Sequence, residues 1–357
     1  MTAAATLTID LRALRENWRK LTEMVAPAEC AAVVKADGYG CGLERVVGAL
    51  LAEGCRTFFV ARLSEGFLAR TTAPEAAIYV LDGLATGAGV DMRAAGLRPT
   101  LGSLAEISEW TAGGGGPAAL HFDTGMNRLG LSIDEAGAAL TALGRAPELI
   151  MSHFTSSEDL ASPDNPTQIE RFARLRELIP NISASLCNSS GIFLSAHPWH
   201  DLARPGYALY GGNPTPGRPN PMRAVVALEA PVLQTRRIEA GERVGYNGRW
   251  TAKRPTLLAV IPVGYADGVP RSAMGVDGKP GPDVALAGVR CPIVGRVSMD
   301  LICIDATDAP ASAVERGAPV EILGATIGID EFGERAGTIG YEILTSLGRR
   351  YRRIYRD

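Results

Sequence analysis

Short apolar runs alternate with amphipathic stretches over the first two-thirds of the chain. Eight runs can be read: AAVVKA from residue 31, TFFVAR from 57, AAIYVL from 76, RPTLGS from 98, AALHFD from 118, LIMSHF from 149, SASLCN from 183 and DLARPG from 201. Between them, LERVVGALLAEG, SLAEISEWTAGG and PTQIERFARLRELI place apolar residues three and four apart and carry Ser, Pro or Gly at their flanks, as amphipathic helices do. Eight strands alternating with helices predict an α/β fold, a closed (β/α)8 TIM-type barrel, with an open doubly wound sheet as the alternative that pattern alone leaves standing. In a barrel the chemistry gathers at the C-terminal ends of the strands. The polar residues at those positions are Lys35, Asp123, His153, Asn188, Ser189 and Arg204.

The Pro- and Gly-rich stretch GGNPTPGRPNP (211–221) marks a change of character. Beyond it, AVVALEAPVLQTRRI, PTLLAVIPVGYA, VRCPIVGRVSMDLICIDA and PVEILG alternate as half-buried strands do, which predicts a separate, mainly β domain. The closing stretch GTIGYEILTSLGRRYRRIYRD reads as an amphipathic helix with a basic end. The expected division is a barrel over residues 10–222 and a β domain over 223–357, with 1–9 a candidate addition to the second.

Composition narrows the partners. The 357 residues are 46% hydrophobic and 21% charged, with a formal net charge of −3, so no sustained basic surface invites nucleic acid or an anionic membrane. A small molecule is the expected ligand. The N-terminal MTAAATLTIDLRALRENW has no basic segment followed by an apolar run, and no stretch approaches the ~20 apolar residues needed to span a bilayer, so the expected location is the cytoplasm. Cys30, Cys41, Cys55, Cys187, Cys291 and Cys303 are scattered without CxxC pairs and are expected to be free thiols, with no metal site.

Lys35 directly follows AAVV. Buried lysines are rare unless paired, and a surface charge at a strand end is the ordinary explanation for one here. Yet it leads into KADGYGCG, whose glycines allow close backbone approach to a ligand, and Tyr39 lies four residues on. An amine in an apolar barrel mouth has its charged form destabilised, which suits a Schiff-base nucleophile or a base.

VVKADGYG resembles the cofactor-lysine segment of the alanine racemases, pyridoxal phosphate (PLP) enzymes of fold type III built from a barrel followed by a β domain. The resemblance runs from TIDLRALRENW to GTIGYEI and implies interconversion of L- and D-alanine by an isomerase. By it, Lys35 would hold PLP and serve as one base. FDTGMNRLG (122–130) would bring Arg128 to the substrate carboxylate, which a planar guanidinium fork suits. Many family members carry a lysine where this chain has His121, sometimes carbamylated to orient that arginine. ARPGYALYGG (203–212) would set Arg204 on the PLP pyridine nitrogen, and an arginine there keeps the nitrogen unprotonated and the ring a weaker electron sink. The phosphate would lie by Tyr39, Asn188, Ser189, the backbone of Gly206 and Tyr207, and Tyr341, while His153 would link Arg204 to a tyrosine base.

Racemisation needs a base on each face of the α-carbon. GYNGRWTA (245–252) resembles the family segment that bears the second, Tyr246. IPVGYADGVPR (261–271) and VGRVSMDL imply Tyr265 and Met299 at the substrate entrance, the latter through its backbone N–H, with Asp300 in support and Ser298 where the family often has Cys. In the family these reach a partner's barrel, so a homodimer with shared sites is implied. Other readings are a broad-spectrum amino-acid racemase, kept open by His121; a decarboxylase, which Arg204 opposes; and a non-catalytic PLP carrier, which would lack residues 222–357.

Overall fold

The computed structural model describes residues 5–357. Residues 1–4, where the N-terminal reading and the candidate addition 1–9 begin, lie outside them. The chain divides into two compact units: Leu14–Arg223, and the residues up to Ala13 together with Ala224–Asp357.

Strand β1 (Thr6–Asp10) runs into helix α1 (Leu11–Val25), where the Asp10 carboxylate accepts from Ala13 N at 2.8 Å. Leu14, Trp18, Leu21 and Val25 form the buried stripe of α1, at the helical spacing of three and four. The first unit continues as β2 (Glu29–Cys30), β3 (Ala32–Val33), α2 (Lys35–Tyr39), α3 (Leu43–Glu53), β4 (Thr57–Val60), α4 (Leu63–Thr72), β5 (Ala77–Val80), α5 (Gly89–Ala94), β6 (Arg98–Leu101), α6 (Leu104–Ala112), β7 (Ala119–His121), α7 (Ala136–Leu143), β8 (Leu149–Met151), α8 (Asp164–Leu178), β9 (Ala184–Ser185) and β10 (Leu202–Ala203). Strands β3 to β9 form a parallel sheet in chain order, and β10 pairs with β2. The ladder is carried from β9 to β10 by Asp201 N to Ala184 O (3.0 Å) and Arg204 N to Cys187 O (2.9 Å), and from β10 back to the first strand by Ala31 N to Ala203 O (2.9 Å). All eight apolar runs are therefore barrel strands, β3 to β10, with β2 lying just ahead of the first. Phe58, Phe59, Ile78, Leu101, Leu120 and Ile150 are fully buried, as expected of parallel strands covered on both faces.

The second unit adds β11 (Val226–Pro231), β12 (Gln234–Ile238), β13 (Arg243–Val244), β14 (Trp250–Thr251), β15 (Thr256–Ile261), β16 (Asp283–Leu286), β17 (Val289–Val294), β18 (Ile302–Asp305), β19 (Pro319–Leu323), α9 (Ile329–Ala336), α10 (Gly340–Thr345) and β20 (Arg352–Arg356). Its main sheet has the order β12-β15-β18-β17-β16-β19-β11-β1-β20. The closing stretch corrects the sequence reading: only Gly340–Thr345 is helical, and Arg352–Arg356 is a strand paired in parallel with β1. The reason is local and tertiary together. Gly348 N donates to Asp267 O at 2.9 Å, and a Cβ at 348 would lie 2.8 Å from that oxygen, so the chain turns there and the open edge of β1 takes the residues beyond it.

Candidate active site

Lys35 leaves the first barrel strand at its C-terminal end. The four residues after it are left-handed: Ala36, Asp37, Gly38 and Tyr39 have φ of 53°, 56°, 60° and 52°. Such backbone is disfavoured for residues bearing a Cβ, so the turn needs anchors. Glu65, in the first turn of α4, accepts from Ala36 N at 2.7 Å through one oxygen and from Ala61 N at 2.8 Å through the other, and Asp37 accepts from Leu43 N at 2.9 Å. Burial lowers the Lys35 pKa, and the Arg128 guanidinium lowers it further against the opposing pull of Asp82 and Glu65. The amine is thereby made easier to deprotonate.

Arg204 is buried at the end of β10. Its guanidinium donates to Ser152 O at 2.6 Å and to Ser185 Oγ, and Ser185 Oγ donates in turn to Leu202 O at 2.5 Å. Burial pulls its pKa down to about 10, which leaves it charged near neutrality and a donor only. His153, at the end of β8, is lowered to about 3 by burial and then by Arg204, Arg128, Lys35 and His121. His121, the last residue of β7, is lowered to about 4 by burial and then by Arg204 and Arg128. Lys35, His121, Arg128, His153 and Arg204 thus share one electrostatic neighbourhood, in which the two imidazoles stay neutral and the cations stand ready for an anion.

Arg128 sits on a loop closed at its neck by Asp123 N to Leu131 O and Leu131 N to His121 O, both 2.9 Å. The Asp123 carboxylate accepts from Gly125 N and Met126 N at 2.8 Å and from Asn127 N at 2.9 Å, which folds the loop on itself. Gly130 has φ of 119°, and a Cβ there would lie 2.7 Å from Asp123 N, so glycine is required at the neck. A cavity of about 300 Å³ lined by Asp82, Thr100, Glu106, His121 and Arg128 adjoins the loop.

Across the same barrel unit, Ser189 Oγ accepts from Gly206 N at 3.0 Å and Ala208 N at 3.1 Å. With both lone pairs engaged, what the hydroxyl still offers is its proton. Gly206 permits the approach of Tyr39, whose hydroxyl oxygen would lie 2.4 Å from a Cβ at 206, and Tyr39 stacks on Tyr210 with ring centroids 4.6 Å apart. Asn188 Oδ1 accepts from Gly191 N at 2.8 Å and Ser157 Oγ at 2.9 Å. Tyr207 is buried in the turn after Gly206. The Gly206 N–H, expected to face an anion, is directed to Ser189 Oγ instead.

The remaining candidates lie in the second unit. Tyr246 opens the turn Tyr246–Gly248, between Gly245 (φ 73°) and Asn247 (φ 62°), and Arg243 Nε clamps it by donating to Gly248 O at 2.7 Å. Tyr265 N donates to Ser298 O and Ala266 N to Met299 O, both at 3.1 Å, so Tyr265 and Met299 share one loop pair. Gly264 makes this possible: a Cβ there would lie 2.2 Å from Met299 O. Buried Asp267 accepts from Gly264 N at 2.9 Å and pairs with Arg350 at 3.1 Å, and Arg350 also holds Asp300 at 2.9 Å. Tyr246, Met299 and Tyr265 are 69%, 53% and 43% exposed, and Tyr341 lies half-buried on α10.

Residues 9–214 match the model of the alanine racemase N-terminal domain, and residues 225–355 that of the alanine racemase C-terminal domain. The chain belongs to the alanine racemase family. An alanine racemase of Methylobacterium nodulans is 54% identical to it over 98% of this chain and 96% of that one, and one of Acidiphilium cryptum is 48% identical over 99% of each. The crystal structure of the alanine racemase of Bartonella henselae with covalently bound pyridoxal phosphate is 40% identical, with a TM-score of 0.93 covering 99% of this chain and 100% of that one. Family membership makes the protein a PLP-dependent isomerase of the racemase type, the class read from the sequence.

The residues present fit that cofactor. Lys35 supplies an amine for the aldehyde, the Ser189 proton suits the phosphate, and the donor-only Arg204 suits an unprotonated ring nitrogen. What sequence reasoning missed is the support beneath these groups. Ser152, Ser185 and Gln168 are ordinary residues in amphipathic or strand-end positions, nothing in the pattern sets them apart from solvent-facing side chains, and only Glu65 is marked. The one legible signal was the carboxylate in the first turn of α4, an N-terminal helix preference.

Proposed function

We propose that the protein interconverts L- and D-alanine by a two-base mechanism, as a cytoplasmic homodimer in which a PLP-binding barrel (residues 10–222) is completed by the β domain (223–357, with 1–9) of the partner. The observation that carries this reading is the cluster of Lys35, Arg128 and Arg204, one amine of lowered pKa beside two guanidinium groups, of which Arg204 is held by Ser152 O and Ser185 Oγ. When bound, the cofactor supplies the electron sink that stabilises negative charge at the substrate α-carbon. Arg128 holds the carboxylate, helped by the N–H of Met299 of the partner subunit, and Tyr265 of the partner subunit narrows the entrance while the partner subunit's Asp300 steadies that loop. Lys35 Nζ, as the free amine, takes the α-proton of the D-enantiomer from one face while the hydroxyl of Tyr246 of the partner subunit gives a proton to the other; in the reverse direction that tyrosine, as the phenolate, takes the α-proton of the L-enantiomer and the Lys35 ammonium gives one back. Arg204, charged near neutrality and a donor only, would hold the ring nitrogen unprotonated, which would weaken the sink and favour reprotonation over side reactions. His153, neutral and half-buried, links Arg204 to Tyr246 of the partner subunit. Tyr39, Asn188, Ser189, Tyr207 and Tyr341 would surround the phosphate, with the Gly206 N–H holding Ser189 Oγ.

The test is the absorbance spectrum of the purified protein before and after borohydride, followed by circular dichroism of L-alanine incubated with it. A near-visible band removed by borohydride, decay of the alanine signal to zero, and loss of both in Lys35→Ala are expected. A band without loss of optical activity would reject alanine as substrate. His121 favours one second reading, a broad-spectrum racemase, which a panel of L-amino acids in the same assay separates from the first.

A further inference from the structure

Gln168, from the second turn of α8, is buried together with Thr124 and Ser152. Its amide uses all four of its hydrogen-bonding positions: Nε2 donates to His153 O at 3.0 Å and Thr124 Oγ1 at 3.1 Å, while Oε1 accepts from Thr155 N at 2.9 Å and Thr155 Oγ1 at 3.0 Å. A backbone carbonyl on one side and a backbone N–H on the other fix its orientation. Thr124 is the second residue of the Arg128 loop, and its hydroxyl lies 2.7 Å from Ser152 Oγ, the residue whose carbonyl receives Arg204. Arg171, one turn further along α8, donates to Thr124 O at 3.0 Å. Gly125 completes the seat: a Cβ there would lie 3.1 Å from Arg171 Nη1 and 3.6 Å from Gln168 Cγ.

Among the described residues the Arg128 guanidinium makes no ion pair or hydrogen bond, and neighbouring His121 is neutral. Its place is therefore set by the backbone of its loop, and what ties that loop to the scaffold decides where the guanidinium points. We propose that Gln168 is a positioning residue that sets Arg128 for the substrate carboxylate, by locking Thr124 to the β8 end that carries His153. This rests on the reading of Arg128 given above. Buried polar networks specify one arrangement only when every member is satisfied, and this one is satisfied at its centre.

Gln168→Met keeps the length of the side chain and removes its four hydrogen bonds. KM for L-alanine is expected to rise about tenfold while kcat changes by less than about threefold, because the carboxylate grip is loosened and the two bases are not touched. The borohydride-sensitive band should stay unchanged. In a double-mutant cycle with Arg128→Lys, Gln168→Met should add less than about twofold to KM, since it acts through the group already altered. Thr124→Val, which keeps shape and removes the hydroxyl, should show the same pattern and carries the test if Gln168→Met does not fold. Unchanged KM in the folded variants, or KM increments that multiply with Arg128→Lys, would overturn the proposal. If Arg128→Lys itself leaves KM unchanged, the reading of Arg128 fails and this inference with it; if Arg128→Lys raises KM and the Gln168 and Thr124 variants do not, the inference fails alone.

Discussion

The barrel unit and the β unit hold their candidate residues by opposite means. In the barrel, Arg204, His121 and Ser189 are buried and His153 is half-buried, and their surroundings perturb them: charge is desolvated, lone pairs are spoken for, and both imidazoles are driven neutral. In the β unit, Tyr246, Tyr265 and Met299 stand out into solvent on loops held by backbone contacts: Gly264 against Met299 O, Tyr265 N on Ser298 O, Arg243 on Gly248 O. One region fixes the electrostatics of a site. The other presents side chains whose environment it does not itself supply, which is what a surface destined to complete another site requires.

The sharpest way to break that contrast is Tyr246→Phe. If the exposed loops contribute chemistry, kcat should fall by about 10²- to 10⁴-fold with the cofactor band intact, the range expected for loss of a positioned acid or base. Retained turnover in steady-state assays would reduce the β unit to a structural role. Next in size is Gly264→Ala, whose Cβ must displace the Ser298–Met299 backbone; overpacking of this kind costs about 1–3 kcal/mol, read as a lower urea midpoint. An unchanged midpoint would mean that the loop pair is not held by this close approach.

The smallest effect concerns acid. All four histidines, His121, His153, His197 and His200, fall in the barrel unit, and burial lowers His121 and His200 to about 4 and His153 to about 3 from an ordinary 6.5. The unfolded chain binds their protons first, so their contribution is complete above 6.5 and is lost as pH falls from there through 4 and 3. Stability measured by urea unfolding should decline with falling pH over that window. His121→Gln should flatten the decline by up to one proton equivalent; a slope identical to the parent's would show that His121 titrates normally in the fold.

Much of this was legible beforehand. The eight runs became eight barrel strands because a parallel strand covered on both faces must be apolar along its length, and that leaves its mark in sequence. Lys35, Arg128, Arg204 and Tyr246 stood out as polar residues in motifs that resemble a family. The closing stretch misleads because six helical residues and a strand share it, and the choice at Arg352–Arg356 is made by the free edge of β1, 346 residues away in sequence.

The sequence by itself determined the alternation and the two-part organisation, because burial and backbone preference act on each segment locally, and its motifs marked the candidate residues. Only the tertiary structure decided how those residues are tuned. That Gln168 braces Thr124, that Ser152 and Ser185 receive Arg204, and that His121 and His153 stay neutral all depend on which groups meet from distant segments, and desolvation and hydrogen bonding are properties of that meeting.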